Sequence, residues 1–136
     1  MNEVALAKLR SILVEAAKWR DQGLPGLLDI GQMGEAIVEA MHPDWTRAPR
    51  GTVGFDFTDT ERRTVQVKTR ASDARTHDKI RPSADRIIVL KLRDTGWDVL
   101  CDRLTSDLFP VWPAGKTKLP VYNRMHAIDP ALREAA

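Results

Sequence analysis

Glu35, Asp56, Gln66 and Lys68 are the four side chains whose types and order could do chemistry together. In Val53-Gly-Phe-Asp-Phe-Thr58 the two phenylalanines point one way and Asp56 the other, as alternation along a strand requires. In Thr64-Val-Gln-Val-Lys-Thr69 the valines separate in the same way from Gln66 and Lys68. An antiparallel hairpin with an odd-numbered loop centred near Glu61 sets Asp56 opposite Gln66, and Asp56, Gln66 and Lys68 then share one face. Mg²⁺ prefers hard oxygen ligands, which Asp56, the Gln66 amide oxygen, the Val67 main-chain carbonyl and Glu35, directly or through water, can supply. A lysine beside such a site orients or deprotonates a water, or balances charge building on a phosphate. The chemistry expected of this set is metal-assisted hydrolysis of a phosphodiester.

These side chains need a helix and a sheet to hold them. From Asn2 to about Gln22, Leu6, Leu9, Leu13 and Ala16/Ala17 recur at helical spacing and predict a first amphipathic helix. Gly23, Pro25 and Gly26 interrupt it, and a second helix follows with Ile30, Met33, Gly34, Ile37, Val38 and Met41 on one face. That helix ends near His42-Pro43 and carries Glu35 at the margin of its apolar stripe, with Glu39 one turn later able to take the same part. Trp45 to Ala48 offers a short edge strand. Asp59 to Arg63 is the polar turn of the hairpin, and Arg86 to Arg93 a continuously apolar strand paired through Asp94-Thr-Gly-Trp97 with Asp98 to Leu104. Ala71 to Ala84 reads as a short helix or a functional loop, and Ser106 to Trp112 as a short helix before an irregular, proline-bearing end.

With the elements in place, Gly34-Glu35, Gly54-Phe-Asp56 and Gln66-Val-Lys68-Thr-Arg70 resemble the restriction-endonuclease superfamily, the PD-(D/E)xK nucleases, in its Gln-x-Lys variant similar to Mrr-type enzymes and related bacterial proteins. The resemblance spans Asp29 to Arg70, and Arg86 to Leu104 by strand pattern. It implies an α/β fold: a restriction-endonuclease-like αβββαβ core with a mixed central sheet flanked by helices, here with an extra N-terminal helix. It also implies cleavage of DNA, most naturally double-stranded, with Mg²⁺ or Mn²⁺ held by Asp56, Gln66, Val67 and Glu35 while Lys68 assists the water. Gln66 departs from the family by replacing a carboxylate, which removes a negative charge from the metal site. No proline precedes Asp56, and the helix between the third and fourth core strands would have to come from Ala71 to Ala84.

At 136 residues the chain is expected to be one domain: a helix over 1–24, a core over 27–104 and a C-terminal extension over 105–136. From Asp44 to Arg93 there are twelve Lys/Arg against seven Asp/Glu, a charge of +5 within a chain whose net is +2. A basic middle suits a polyanion, and Arg70, Arg75, Lys79 and Arg81 are its candidate phosphate contacts. No run reaches the ~18 apolar residues of a membrane span. The lone Cys101 cannot form an internal bridge, and the first twenty residues carry mixed charge, so a cytoplasmic protein without membrane contact is expected. His77 reads as a surface histidine, and the apolar stripe of the first helix offers a homodimer contact. Two rivals stand beside the nuclease: a catalytically inactive relative that binds nucleic acid or a protein, and a small interaction or immunity protein whose charges are all surface.

Overall fold

Asp29 starts the helix that matters most to the site: its side chain accepts from Gln32 N–H at 3.0 Å, and α2 runs from Ile30 to Met41. One face of α2, carrying Met33, Gly34, Ile37 and Val38, is buried, as the 3.6-residue spacing demands. Gly34 is required there by contact. A Cβ on it would fall 1.7 Å from Thr69 Oγ1, so only glycine lets the helix lie this close to the sheet. Before it, α1 spans Glu3–Asp21, capped by the Asn2 side chain, and buries Leu6, Leu13 and Ala17. The computed structural model describes residues 1–24, 26, 28–71, 79–121 and 124–125.

Within those residues the central sheet has the order β1-β2-β3-β5-β6, built from Thr46–Arg47, Phe57–Thr58, Thr64–Arg70, Arg86–Leu92 and Trp97–Leu104. Neighbours pair antiparallel except β3 and β5, which run parallel from Val65↔Arg86 to Arg70↔Lys91. A second, two-stranded sheet joins β4 (Lys79–Ile80) to β7 (Leu119–Pro120), and α3 is the single turn Thr105–Leu108. The sheet separates two apolar clusters. Phe57, Val65, Val67, Ile88 and Leu90 meet Ile37 and Val38 of α2 and Leu13 of α1 on one side. Ile87, Val89 and Cys101 meet Ile80, Leu108, Phe109, Val121 and Met125 on the other. Each fully buried aliphatic or aromatic side chain contributes ~1.5–3 kcal/mol. β5, covered on both faces, is therefore apolar almost throughout, whereas β3 alternates between Val65 and Val67 toward the helices and Gln66, Lys68 and Arg70 toward the second cluster.

Three expectations change. The strand predicted over 53–58 shrinks to Phe57–Thr58, because Gly54 adopts φ +99°, outside extended backbone, against Ser83. The connection over 71–84, expected as a short helix or a loop, carries the two-residue strand Lys79–Ile80 and a turn at Pro82–Ser83 in its described part, while 72–78 lie outside the described residues. The predicted helix over 106–112 is instead the four-residue Thr105–Leu108 turn, since Pro110 and Pro113 cannot continue it. The mixed α/β sheet itself, the edge strand and the Arg86–Leu104 hairpin lie where the periodicity puts them.

Candidate active site

The register of β2 against β3, Phe57↔Val65 and Thr58↔Thr64, continues to place Asp56 across from Gln66. At Asp56 the main-chain ladder gives way. Asp56 N–H still donates to Val65 O at 2.8 Å, but the Val67 N–H one rung further donates to the Asp56 carboxylate, Oδ2, at 2.8 Å. The carboxylate thus occupies the end of the ladder and lies at the margin of the sheet instead of standing out from one face. Strand backbone turns the Val67 carbonyl to the same side as its N–H, toward Asp56.

From the helical face of the sheet, Glu35 reaches that margin. Burial, then the charge of Asp56 and a hydrogen bond between the two carboxyl groups, push Glu35 above the ordinary glutamate range, with Arg47 opposing. Glu39, the alternative one turn on, is instead ion-paired with Arg47, so α2 aims Glu35 and not Glu39 at Asp56. The two carboxylates line a cavity of about 680 Å³ between α2 and the loop after β1, together with Gln32, Arg47, Arg50 and Phe55. Phe55 and Asp56, expected on opposite sides of a strand, face this one space because the strand begins only at Phe57.

Gln66 is buried, and its Oε1 accepts from Arg81 N–H at 3.3 Å, a long bond that leaves the oxygen a second lone pair. Lys68, half-buried, shares the Gln66 face by alternation. The structure therefore brings Glu35, Asp56 and the Val67 backbone into one cluster, sets Gln66 across from it, and carries Lys68 two residues further along the same strand face. Of the phosphate candidates, Lys79 is exposed and Arg81 half-buried, while Arg70 is buried at 4% exposure instead of facing solvent. Arg75 and His77 lie outside the described residues. Sequence reasoning passed over Arg47 and Arg50. The Arg47-Ala-Pro-Arg50-Gly51 run was the available signal: two cations around a turn, just upstream of Asp56.

Among the described residues no three His, Cys, Asp or Glu side chains gather as a metal-binding group; the cluster here is two carboxylates, with carbonyl and amide oxygens as the further donors. Burial pushes the Cys101 thiol up to about 11, and it acts as a small core side chain. No described helix is long and apolar enough to cross a membrane. Comparison with protein-family models gives no matching family, and comparison with curated proteins gives no matching relative.

Proposed function

We propose that this chain is a metal-dependent nuclease of the restriction-endonuclease type, cutting phosphodiester bonds of DNA. The observation that carries the reading is the Glu35–Asp56 pair: two carboxylates held together at the end of a β-ladder, beside a cavity, with charges that repel unless a proton or a cation lies between them. The donor set is all oxygen and suits a hard divalent cation. Asp56 and Glu35, the Val67 carbonyl and the remaining lone pair of Gln66 Oε1 would hold Mg²⁺ or Mn²⁺. When bound, the ion supplies polarisation of a phosphoryl oxygen and neutralises charge on the phosphate.

The chain's own residues do the positioning. Asp56 is fixed from both sides, since its carboxylate accepts from Val67 N–H and its carbonyl accepts from Ala48 N–H at 2.8 Å. Gly34 sets how closely α2 approaches the sheet, and through that where Glu35 arrives. Lys68 orients or deprotonates the attacking water, or offsets charge on the phosphate. The antiparallel run β1-β2-β3, followed by a crossover into the parallel β5 with α2 on one face, is the order of strands such a core uses, and it supports the assignment to that extent.

One observation favours a second reading. Gln66 Oε1 is already engaged by the Arg81 backbone, which suits a catalytically inactive relative in which Gln66 only braces the loop before β5 and the surface binds nucleic acid. Nicking and linearisation of supercoiled plasmid, alongside single-stranded DNA and RNA, in Mg²⁺, Mn²⁺ or EDTA, separates the two. The nuclease predicts metal-dependent cutting that Asp56→Ala and Lys68→Ala both abolish. Binding without cutting by any of the three proteins replaces it with the binding module.

A further inference from the structure

The cavity at Glu35 and Asp56 has a charge account that does not close. Its two carboxylates face two arginines: Arg47 offsets Glu35 only in part, being ion-paired with Glu39 and placed over the Phe57 ring at 5.5 Å. Arg50 is exposed and has no ion pair or side-chain hydrogen bond among the described residues. Its backbone is nonetheless tightly held. Thr52 N–H and Oγ1–H both donate to Pro49 O, at 3.0 and 2.5 Å, and Gly51 takes φ +86°, so Arg50 sits at the second position of a tight turn whose third position needs positive φ. The loop is tied to the site at its base by Ala48 N–H donating to Asp56 O. On its far side Gly54 fits so closely to Ser83 that a Cβ would come within 2.6 Å of Oγ. A cation without a partner among the described residues is thus carried on a pinned loop whose base is the backbone of Asp56, and it lines the same cavity.

A nucleic-acid strand is a run of evenly spaced phosphates, and a site that grips one phosphate must let its neighbours lie along the surface. Two carboxylates repel those neighbours, and an arginine with free donors on a pinned backbone attracts one. We propose that Arg50 anchors the phosphate adjacent to the one that is cut, so that the strand runs through the cavity between α2 and the 48–56 loop. This contact is separate from those sought in the basic stretch from Arg70 to Arg81. The assignment rests on the nuclease reading of the cavity, and the strand it serves is a polynucleotide backbone, read without regard to base.

The test is binding of a labelled duplex and a labelled single strand in EDTA, across a salt series, by wild type, Arg50→Ala, Arg50→Lys and Lys8→Ala, the last an exposed cation on α1. Arg50→Ala is expected to weaken binding ~5–10-fold and to flatten the slope of log affinity against log salt by about 0.9 for duplex or about 0.7 for single strand, one phosphate contact. Arg50→Lys keeps the slope, and Lys8→Ala changes neither. In cleavage assays Arg50→Ala raises KM and leaves kcat nearly unchanged. If wild type cuts DNA while Arg50→Ala retains slope and affinity, the Arg50 assignment falls and the nuclease stands. If the slope falls but wild type cuts nothing, Arg50 is upheld as a phosphate contact and the cleavage reading falls. Wild type that binds no polynucleotide overturns both.

Discussion

Asp56 and Asp59 stand three residues apart on the same hairpin, and their surroundings are opposite. Asp59 has a side chain 2% exposed and fully served: its carboxylate accepts from Glu61 N–H, Arg63 N–H and Arg63 Nε, each at 2.9 Å, with Arg86 3.6 Å away. Burial alone would raise its pKa, but those donors outweigh it and hold the group below the usual aspartate range. Asp56 has one main-chain donor on its carboxylate and another carboxyl group, Glu35, against it. A carboxylate that serves stability is surrounded by donors. One left beside a like charge at the edge of a cavity is poised for a ligand of opposite sign.

The comparison is broken most severely by exchanging the losses. Asp56→Ala should lower the cleavage rate by on the order of 10³-fold, the several kcal/mol that metal polarisation supplies, while shifting the urea midpoint little. Asp59→Ala should do the reverse, removing ~3–5 kcal/mol of stability by stranding Arg63 and the turn donors, with cleavage retained in the fraction that stays folded. Activity and denaturation curves on both variants check this.

Gly34→Ala is expected to cost ~1–3 kcal/mol, read from urea denaturation, because its Cβ overlaps Thr69, and to weaken metal-induced thermal stabilisation by displacing Glu35. Gly34→Ala combined with Thr69→Gly, which removes the colliding atoms, should recover most of the loss.

The smallest effect concerns pH, and here the two carboxylates differ in sign. Glu35 is raised in the folded protein, so its contribution is fully present below about pH 4.3 and is lost as pH rises through its folded value. Asp59 is lowered, so its contribution is present above about pH 3.9 and is lost as pH falls through its folded value. In EDTA, Glu35→Gln should therefore raise Tm by a few degrees at pH 7 and leave it nearly unchanged at pH 4. A Tm gain equal at both pH values would remove the Glu35–Asp56 repulsion from the account.

Much of this arrangement was legible in the chain. The odd-numbered turn centred on Glu61 fixes Asp56 opposite Gln66, and the spacing of Met33, Gly34, Ile37 and Val38 fixes the face of α2 that meets the sheet. What the residues did not reveal depends on contacts remote in the chain or on single backbone angles. The pairing of Lys79–Ile80 with Leu119–Pro120 joins two-residue strands, too short to show a period. The same is true of the half of the core built by Leu108, Phe109, Val121 and Met125, which turns the expected C-terminal extension into a cover for the Gln66 face of the sheet. The cavity loop escaped notice because Gly54 ends the strand early, and alternation alone carries Asp56 and Phe55 to opposite sides.

The most direct test of the central claim is a calorimetric titration of the purified protein with Mn²⁺, in two buffers of different ionisation heat, comparing wild type with Asp56→Ala. The account predicts a saturable site in wild type whose filling releases protons, because the cation takes the place of the proton that burial and Asp56 favour on Glu35, and that Asp56→Ala abolishes. Equal binding by both proteins, or no binding by wild type, would contradict it.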